Sequence, residues 1–188
     1  MKAPTRIPPV EPPYDPDTER MLGKWMPPGA DVEPLTLFRV LAQHPDLMSR
    51  MRPLGAGILG STTVEPRERE LMILRTTAVN RAYYEWGVHA AAFGPSVGIN
   101  EEDARAVAGG DLDRFDDADR LVLRLAAELH ERSTVTAELW RCLEESHSLP
   151  QLIELIATAG WYRLLSYVIN AAQLDAEPWA TASPAASA

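Results

Sequence analysis

Residues 66–94 read "PRERELMILRTTAVNRAYYEWGVHAAAFG", and how this stretch folds decides the rest of the chain. Pro66 suits the first turn of a helix, because its missing N–H is one that no helix start can use. Behind it Leu71, Leu74 and Ala78 recur at three and four residue steps, the spacing of one helix face. A second apolar run follows Asn80-Arg81 and carries Glu85 and His89, four residues apart and so on one face of a second helix. Glu70 borders the buried stripe of the first helix, beside Leu74 and Thr77, while Arg67 and Arg69 have easier routes to solvent. An antiparallel hairpin of the two helices brings Glu70 toward His89, since both lie away from the turn. Two carboxylates and an imidazole among apolar side chains shift one another's pKa, which is the condition for proton-transfer chemistry.

The same helical spacing continues on both sides. "PLTLFRVLAQH" from Pro34 places Leu35, Phe38, Leu41 and Ala42 on one face, and "PDLMSRMRPLGAGILG" reads as a helix kinked or broken at Pro53. "NEEDARAVAGG" has Asn100 as its cap, Asp103 three residues on, and Gly109-Gly110 as its stop. "DDADRLVLRLAAELHER" spaces Leu121, Leu125 and Leu129 by four, with Val122 alongside. "TAELWRCLEES" and "SLPQLIELIATAGWYRLLSYVINAAQL" complete the set, with Ser148 and Gln151 at capping-box spacing. No segment alternates with period two. The fold class is all-α.

Nine of the sixteen prolines fall in the first 34 residues. They forbid a regular helix before about Asp17 and leave room for only a short one. Ile7, Val10, Tyr14, Met21, Leu22, Trp25 and Met26 are too apolar for an unattached tail, so residues 1–33 read as an extended arm laid across the body or a neighbouring subunit. Residues 34–175 form one helical domain and residues 176–188 a loose tail. The arm motivates an expectation of a homo-oligomer, a dimer, trimer or hexamer.

With 188 residues, 46% hydrophobic and 24% charged, the chain suits one globular domain. A formal charge of −9 argues against nucleic acid, which demands clustered Lys and Arg. No signal-peptide core and no uninterrupted run of about 20 apolar residues is present, so a cytoplasmic protein without a membrane partner is expected. One cysteine, Cys142, excludes an intrachain disulfide and reads as a small buried hydrophobe. His130 and His147 lie near helix ends, where a cation is favoured, and His44 ends a helix before Pro45. "PRERELMIL" and "PQLIELIAT" share Pro, three residues, then Glu-Leu, a match too short to establish a duplication.

The stretch from Pro66 to Val107, "PRERELMILRTTAVNRAYYEWGVHAAAFGPSVGINEEDARAV", resembles the carboxymuconolactone decarboxylase family within the alkylhydroperoxidase D-like superfamily. The resemblance extends over roughly Pro34 to Leu174. In the peroxidase branch a glutamate precedes a Cys-x-x-Cys pair, and a histidine follows it. Laid on this chain, the glutamate is Glu70, the histidine is His89, and the two cysteines fall on Ala82 and Glu85. Thiol peroxidase chemistry needs an attacking and a resolving thiol, so it is not expected here.

The resemblance instead implies a cofactor-independent lyase or isomerase acting on a small carboxylated or lactone-like substrate. Glu70, Glu85 and His89 are its expected catalytic residues, and Tyr83, Tyr84, Trp86 and Phe93 its expected pocket walls. No metal is expected. Two other readings stand beside it. Glu70, Glu85 and His89 could form an oxygen-and-nitrogen metal set, or the chain could be a non-catalytic oligomeric binding protein.

Overall fold

The computed structural model describes residues 5–27, 33–60 and 63–184, and among these every regular element is helical. The order is α1 (Pro16–Gly23), α2 (Thr36–Leu41), α3 (Pro45–Leu59), α4 (Pro66–Val79), α5 (Tyr83–Ala92), a 3₁₀ turn (Gly94–Val97), α6 (Glu101–Gly109), α7 (Asp117–Arg132), α8 (Ala137–Ser146) and α9 (Leu149–Ala172).

Helix α4 is the axis of the fold. It packs on α5, α6, α7 and α9, and from Glu70 to Leu74 and again from Thr76 to Ala78 every residue is buried. A helix enclosed on all sides has no solvent face on which to place polar residues. Glu70, Thr76 and Thr77 are therefore inside. Thr77 Oγ1 donates back to the carbonyls of Ile73 and Leu74, which satisfies it locally.

The link from α4 to α5 is three residues. Asn80 caps α4, Arg81 takes a left-handed conformation at φ 57°, and the Ala82 N–H donates to Thr77 O at 2.9 Å. That closing pattern reverses the chain sharply and sets α5 back along α4. Both Glu70 and His89 then lie roughly two to three helical turns from the link.

Two apolar clusters share α4, α5 and α9. One gathers Leu71, Leu74, Trp86, Val107, Val122, Leu125, Leu143 and Leu155. The other gathers Leu22, Leu37, Met48, Ile58, Ile73, Tyr84, Val88, Tyr162 and Ile169. The capping boxes at Asn100–Asp103 and Ser148–Gln151 form as their spacing predicts, and Gly110 takes the left-handed stop at φ 79°.

Several expectations need correction. Helix α3 runs through Pro53 without a break; the proline removes one donor, and the packing of Met48, Gly55 and Ile58 holds the turns on either side. The buried face of α7 is Val122, Leu123, Leu125 and Ala126, with Leu121 and Leu129 only half-buried. His44 begins a helix, its Nδ1 accepting the Leu47 N–H at 3.4 Å.

The terminal segments lie on the body of their own chain. The Arg6 N–H donates to Ala172 O at 2.8 Å, the Val10 N–H to Arg39 O at 3.1 Å, and Gln43 Nε2 to Pro8 O at 2.9 Å. The segment expected to be loose is bound as far as Thr181. Glu177 accepts from the Thr36 N–H at 2.7 Å and from the Tyr84 hydroxyl at 2.5 Å, and the Thr181 N–H donates to Gly87 O at 3.1 Å. Residues 1–4, 28–32 and 185–188 of those segments lie outside the described residues.

Candidate functional site

The hairpin brings Glu70 and His89 into direct contact. His89 Nδ1 lies 2.7 Å from Glu70 Oε2, a charge-assisted hydrogen bond in which Nδ1–H donates to the carboxylate. The bond settles the tautomer and leaves Nε2 to face Glu85, whose Oε1 is 3.7 Å away. That distance is beyond hydrogen-bond reach, so Glu85 acts on the imidazole through charge. All three side chains are buried, at 1%, 6% and 2% exposure for Glu70, Glu85 and His89.

The surroundings give each group a direction. Burial raises the Glu85 pKa, His89 opposes that rise, and Glu70 adds to it. Burial pulls the His89 pKa down, but the charge and hydrogen bond of Glu70, with the charge of Glu85, outweigh it and leave the pKa raised. Two carboxylate oxygens, Glu70 Oε1 and Glu85 Oε2, are buried without a hydrogen-bond partner. Arg69, placed in solvent by the sequence reading, is inside instead: its side chain is 12% exposed and its Nε lies 3.5 Å from Glu70 Oε1. Its stem folds along the protein while its charge offsets one of the two buried carboxylates. Arg67 is likewise engaged, bonding Asp119 and the carbonyls of Val97 and Gly98.

Two rings hold the imidazole. Phe93 stacks on it at 4.7 Å with 22° between planes, and Tyr162 meets it edge-on at 5.1 Å and 89°. Phe93 is half-buried whereas Tyr162 is buried, so of the two, Phe93 is the side chain with a path to solvent. Tyr162 was not legible as a site residue. Its only signal was a row of hydroxyls, Thr158, Tyr162 and Ser166, at four-residue steps on the buried side of α9.

The other expected walls are placed elsewhere. Tyr84 turns its hydroxyl to the Leu37 N–H and Glu177, which ties α2, α5 and the C-terminal segment together. Trp86 is 0% exposed within the cluster around Leu74 and Val107. Tyr83 is half-buried at the start of α5. Residues 84 and 86 leave the helix about 100° to either side of residue 85, so their rings enter the two cores on either side.

A metal set gains no geometric support: one carboxylate of the three groups is engaged by Nδ1, and among the described residues no cluster of three or more His, Cys, Asp or Glu is arranged to hold an ion. Cys142 lies half-buried on α8, which packs on α7. An open groove of about 360 Å³ lies between α4, α7 and α9, lined by Thr76, Asn80, His130, Gly160, Arg163 and Tyr167 among others, and none of Glu70, Glu85 and His89 reaches it.

Fold and geometry together define a class: a helical domain whose α4–α5 hairpin buries a Glu–His pair. Residues 45–128 match the model of the carboxymuconolactone decarboxylase family. An uncharacterized peroxidase-related protein from Silicibacter sp. TM1040 has a similar structure, at a TM-score of 0.77 and 15% identity over 95% of this chain and 96% of that one. The alkylhydroperoxidase AhpD core of an uncharacterized peroxidase-related protein from Ralstonia eutropha JMP134 gives 0.75 and 19% over 95% of each chain. The debrominase Bmp8, as a cysteine-to-alanine variant in complex with 2,3,4-tribromopyrrole, gives 0.73 and 16% over 96% of this chain and 94% of that one. At such identities the likeness is one of fold. No curated protein matches the chain.

Proposed function

We propose that this chain is a thiol-independent, cofactor-independent acid–base enzyme acting on a small carboxylated or lactone-like substrate. The observation that carries the reading is the buried His89–Glu70 hydrogen bond of 2.7 Å, which leaves Nε2 as the free end of the imidazole beside Glu85. In a decarboxylation the bond from carbon to the leaving carboxylate breaks, and its electron pair moves into a neighbouring carbonyl. His89 then delivers a proton to that carbon through Nε2, while Glu70 holds Nδ1–H and steadies the imidazolium. Solvent returns a proton to the ring, and the charge of Glu85 favours the imidazolium that carries it. Phe93 turns aside to admit the substrate.

A second reading, a non-catalytic scaffold with a buried polar core, is favoured by the low exposure of all three groups. Turnover separates the two. A panel of small β-keto acids and unsaturated lactones is assayed with the natural chain and with His89→Gln. General acid–base assistance is worth about 10²–10⁴-fold, so His89→Gln lowers turnover by that order with far-UV circular dichroism unchanged. Equal turnover per folded molecule would overturn the catalytic reading.

A further inference from the structure

Thr158, Tyr162 and Ser166 stand at four-residue steps along the buried side of α9. Two of the three are satisfied within the helix. Thr158 Oγ1 donates to Glu154 O at 2.8 Å, and Ser166 Oγ donates to Tyr162 O at 2.7 Å. The hydroxyl of Tyr162 makes no hydrogen bond among the described residues. Buried tyrosines usually find a partner for the O–H, so an unengaged one beside an imidazole is a donor held in reserve.

Its neighbours show where it stands. The Tyr162 ring lies at 89° to the His89 imidazole with centroids 5.1 Å apart, and the charges acting on its hydroxyl are those of Glu85, Glu70 and Arg69. The fully enclosed atoms without a hydrogen bond include Arg69 Nε, Glu70 Oε1 and Glu85 Oε2, but not this hydroxyl. It therefore keeps contact with open space, although Tyr162 as a whole is 1% exposed.

We propose that Tyr162 is a further catalytic residue, its O–H donating a hydrogen bond to the substrate carbonyl oxygen on which negative charge gathers as the carboxylate leaves. This role rests on the acid–base reading above and narrows it to β-keto acids, whose carbonyl lies next to the carbon that is protonated. The other polar groups of the site are committed. Glu70 holds Nδ1–H of His89, Glu85 faces Nε2, and Arg69 faces Glu70 Oε1. Phe93 has nothing to donate. Burial and the two carboxylates raise the Tyr162 pKa well above its ordinary value, so the hydroxyl keeps its proton throughout.

The step balances without further reactants. The carbon–carbon bond to the carboxylate breaks, carbon dioxide departs, and the electron pair moves onto the carbonyl oxygen, where Tyr162 O–H meets it. The pair returns as His89 protonates the carbon, and the carbonyl re-forms. A donor aimed at charge that exists only in the transition state acts on kcat rather than on binding.

Tyr162→Phe tests this in the full chain, because it keeps the ring against His89 and removes only the oxygen. On a substrate from the β-keto acid panel, kcat falls about 10²–10³-fold, the effect of removing one oxyanion donor, while KM and the NMR titration of His89 stay in place. A second arm does not depend on turnover. The natural chain binds 4-nitrophenolate, an oxyanion whose absorbance shifts on accepting a hydrogen bond, and Tyr162→Phe weakens that binding about 10–100-fold. Equal kcat per folded molecule, or phenolate affinity unchanged by the substitution, would overturn the role of Tyr162 and leave that of His89 standing. If the natural chain turns over no member of the panel, the acid–base reading fails, and the phenolate comparison alone decides for or against Tyr162. A natural chain that binds no phenolate would overturn the proposal as well.

Discussion

Replacing His89 by leucine removes both ring nitrogens while nearly keeping the volume that Phe93 and Tyr162 enclose. The Glu70 carboxylate, 1% exposed, then loses its 2.7 Å donor and keeps only Arg69 at 3.5 Å. Breaking a buried pair from one side costs about 3–5 kcal/mol, and the remaining guanidinium places this case near the lower end, at about 3 kcal/mol. Glu70→Leu strands only a neutral imidazole N–H, at about 1–3 kcal/mol. The double variant replaces the pair with apolar groups and costs about 1 kcal/mol or less, since such replacements are often neutral. Urea denaturation at neutral pH, read as midpoints at constant slope, therefore shows the double variant more stable than the sum of the singles by about 3–5 kcal/mol. If the single variants add within about 0.5 kcal/mol, as independent sites do, the two groups do not form a buried ion pair and the reasoning fails.

Glu85→Gln removes a carboxyl whose pKa burial raises. A group bound more tightly to its proton in the folded state contributes fully below its unfolded pKa, and that contribution fades as pH rises through the folded one. The natural chain should lose stability with rising pH through the folded pKa of Glu85, and Glu85→Gln should lose less. The variant also removes a charge that favours the imidazolium, so NMR should show His89 titrating at lower pH; parallel melting curves and an unmoved titration would contradict both. Peroxide-dependent turnover with a dithiol reductant should be absent, and activity abolished by Cys142→Ser would refute that. Gly87→Ala sets a Cβ 2.5 Å from Thr181 O and should cost about 1–3 kcal/mol through overpacking; limited proteolysis near residue 176 should quicken, and an unchanged melting point and digest would refute the contact between Gly87 and the C-terminal segment.

The residue pattern by itself determined the helices, because periodicity, caps and stops are local. Pro66 opening α4, the box at Asn100 and Asp103, and the stop at Gly110 are each settled within one or two turns of chain. It also determined that Glu70 meets His89, since a three-residue link leaves a hairpin little choice of partner. Only the tertiary structure decided which rings surround that pair. Trp86 and Tyr84 sit beside Glu85 in sequence, yet their helical angles send them into separate cores, while Tyr162 arrives from α9, 73 residues beyond His89 in the numbering. Arg69 went inward because enclosing α4 on all sides left a buried carboxylate that needed a cation near it. The C-terminal segment looked unattached because its anchors, Thr36, Tyr84 and Gly87, are remote in sequence. A short polar segment carries no periodicity, so its place becomes visible only where the folded surface offers matching donors and acceptors.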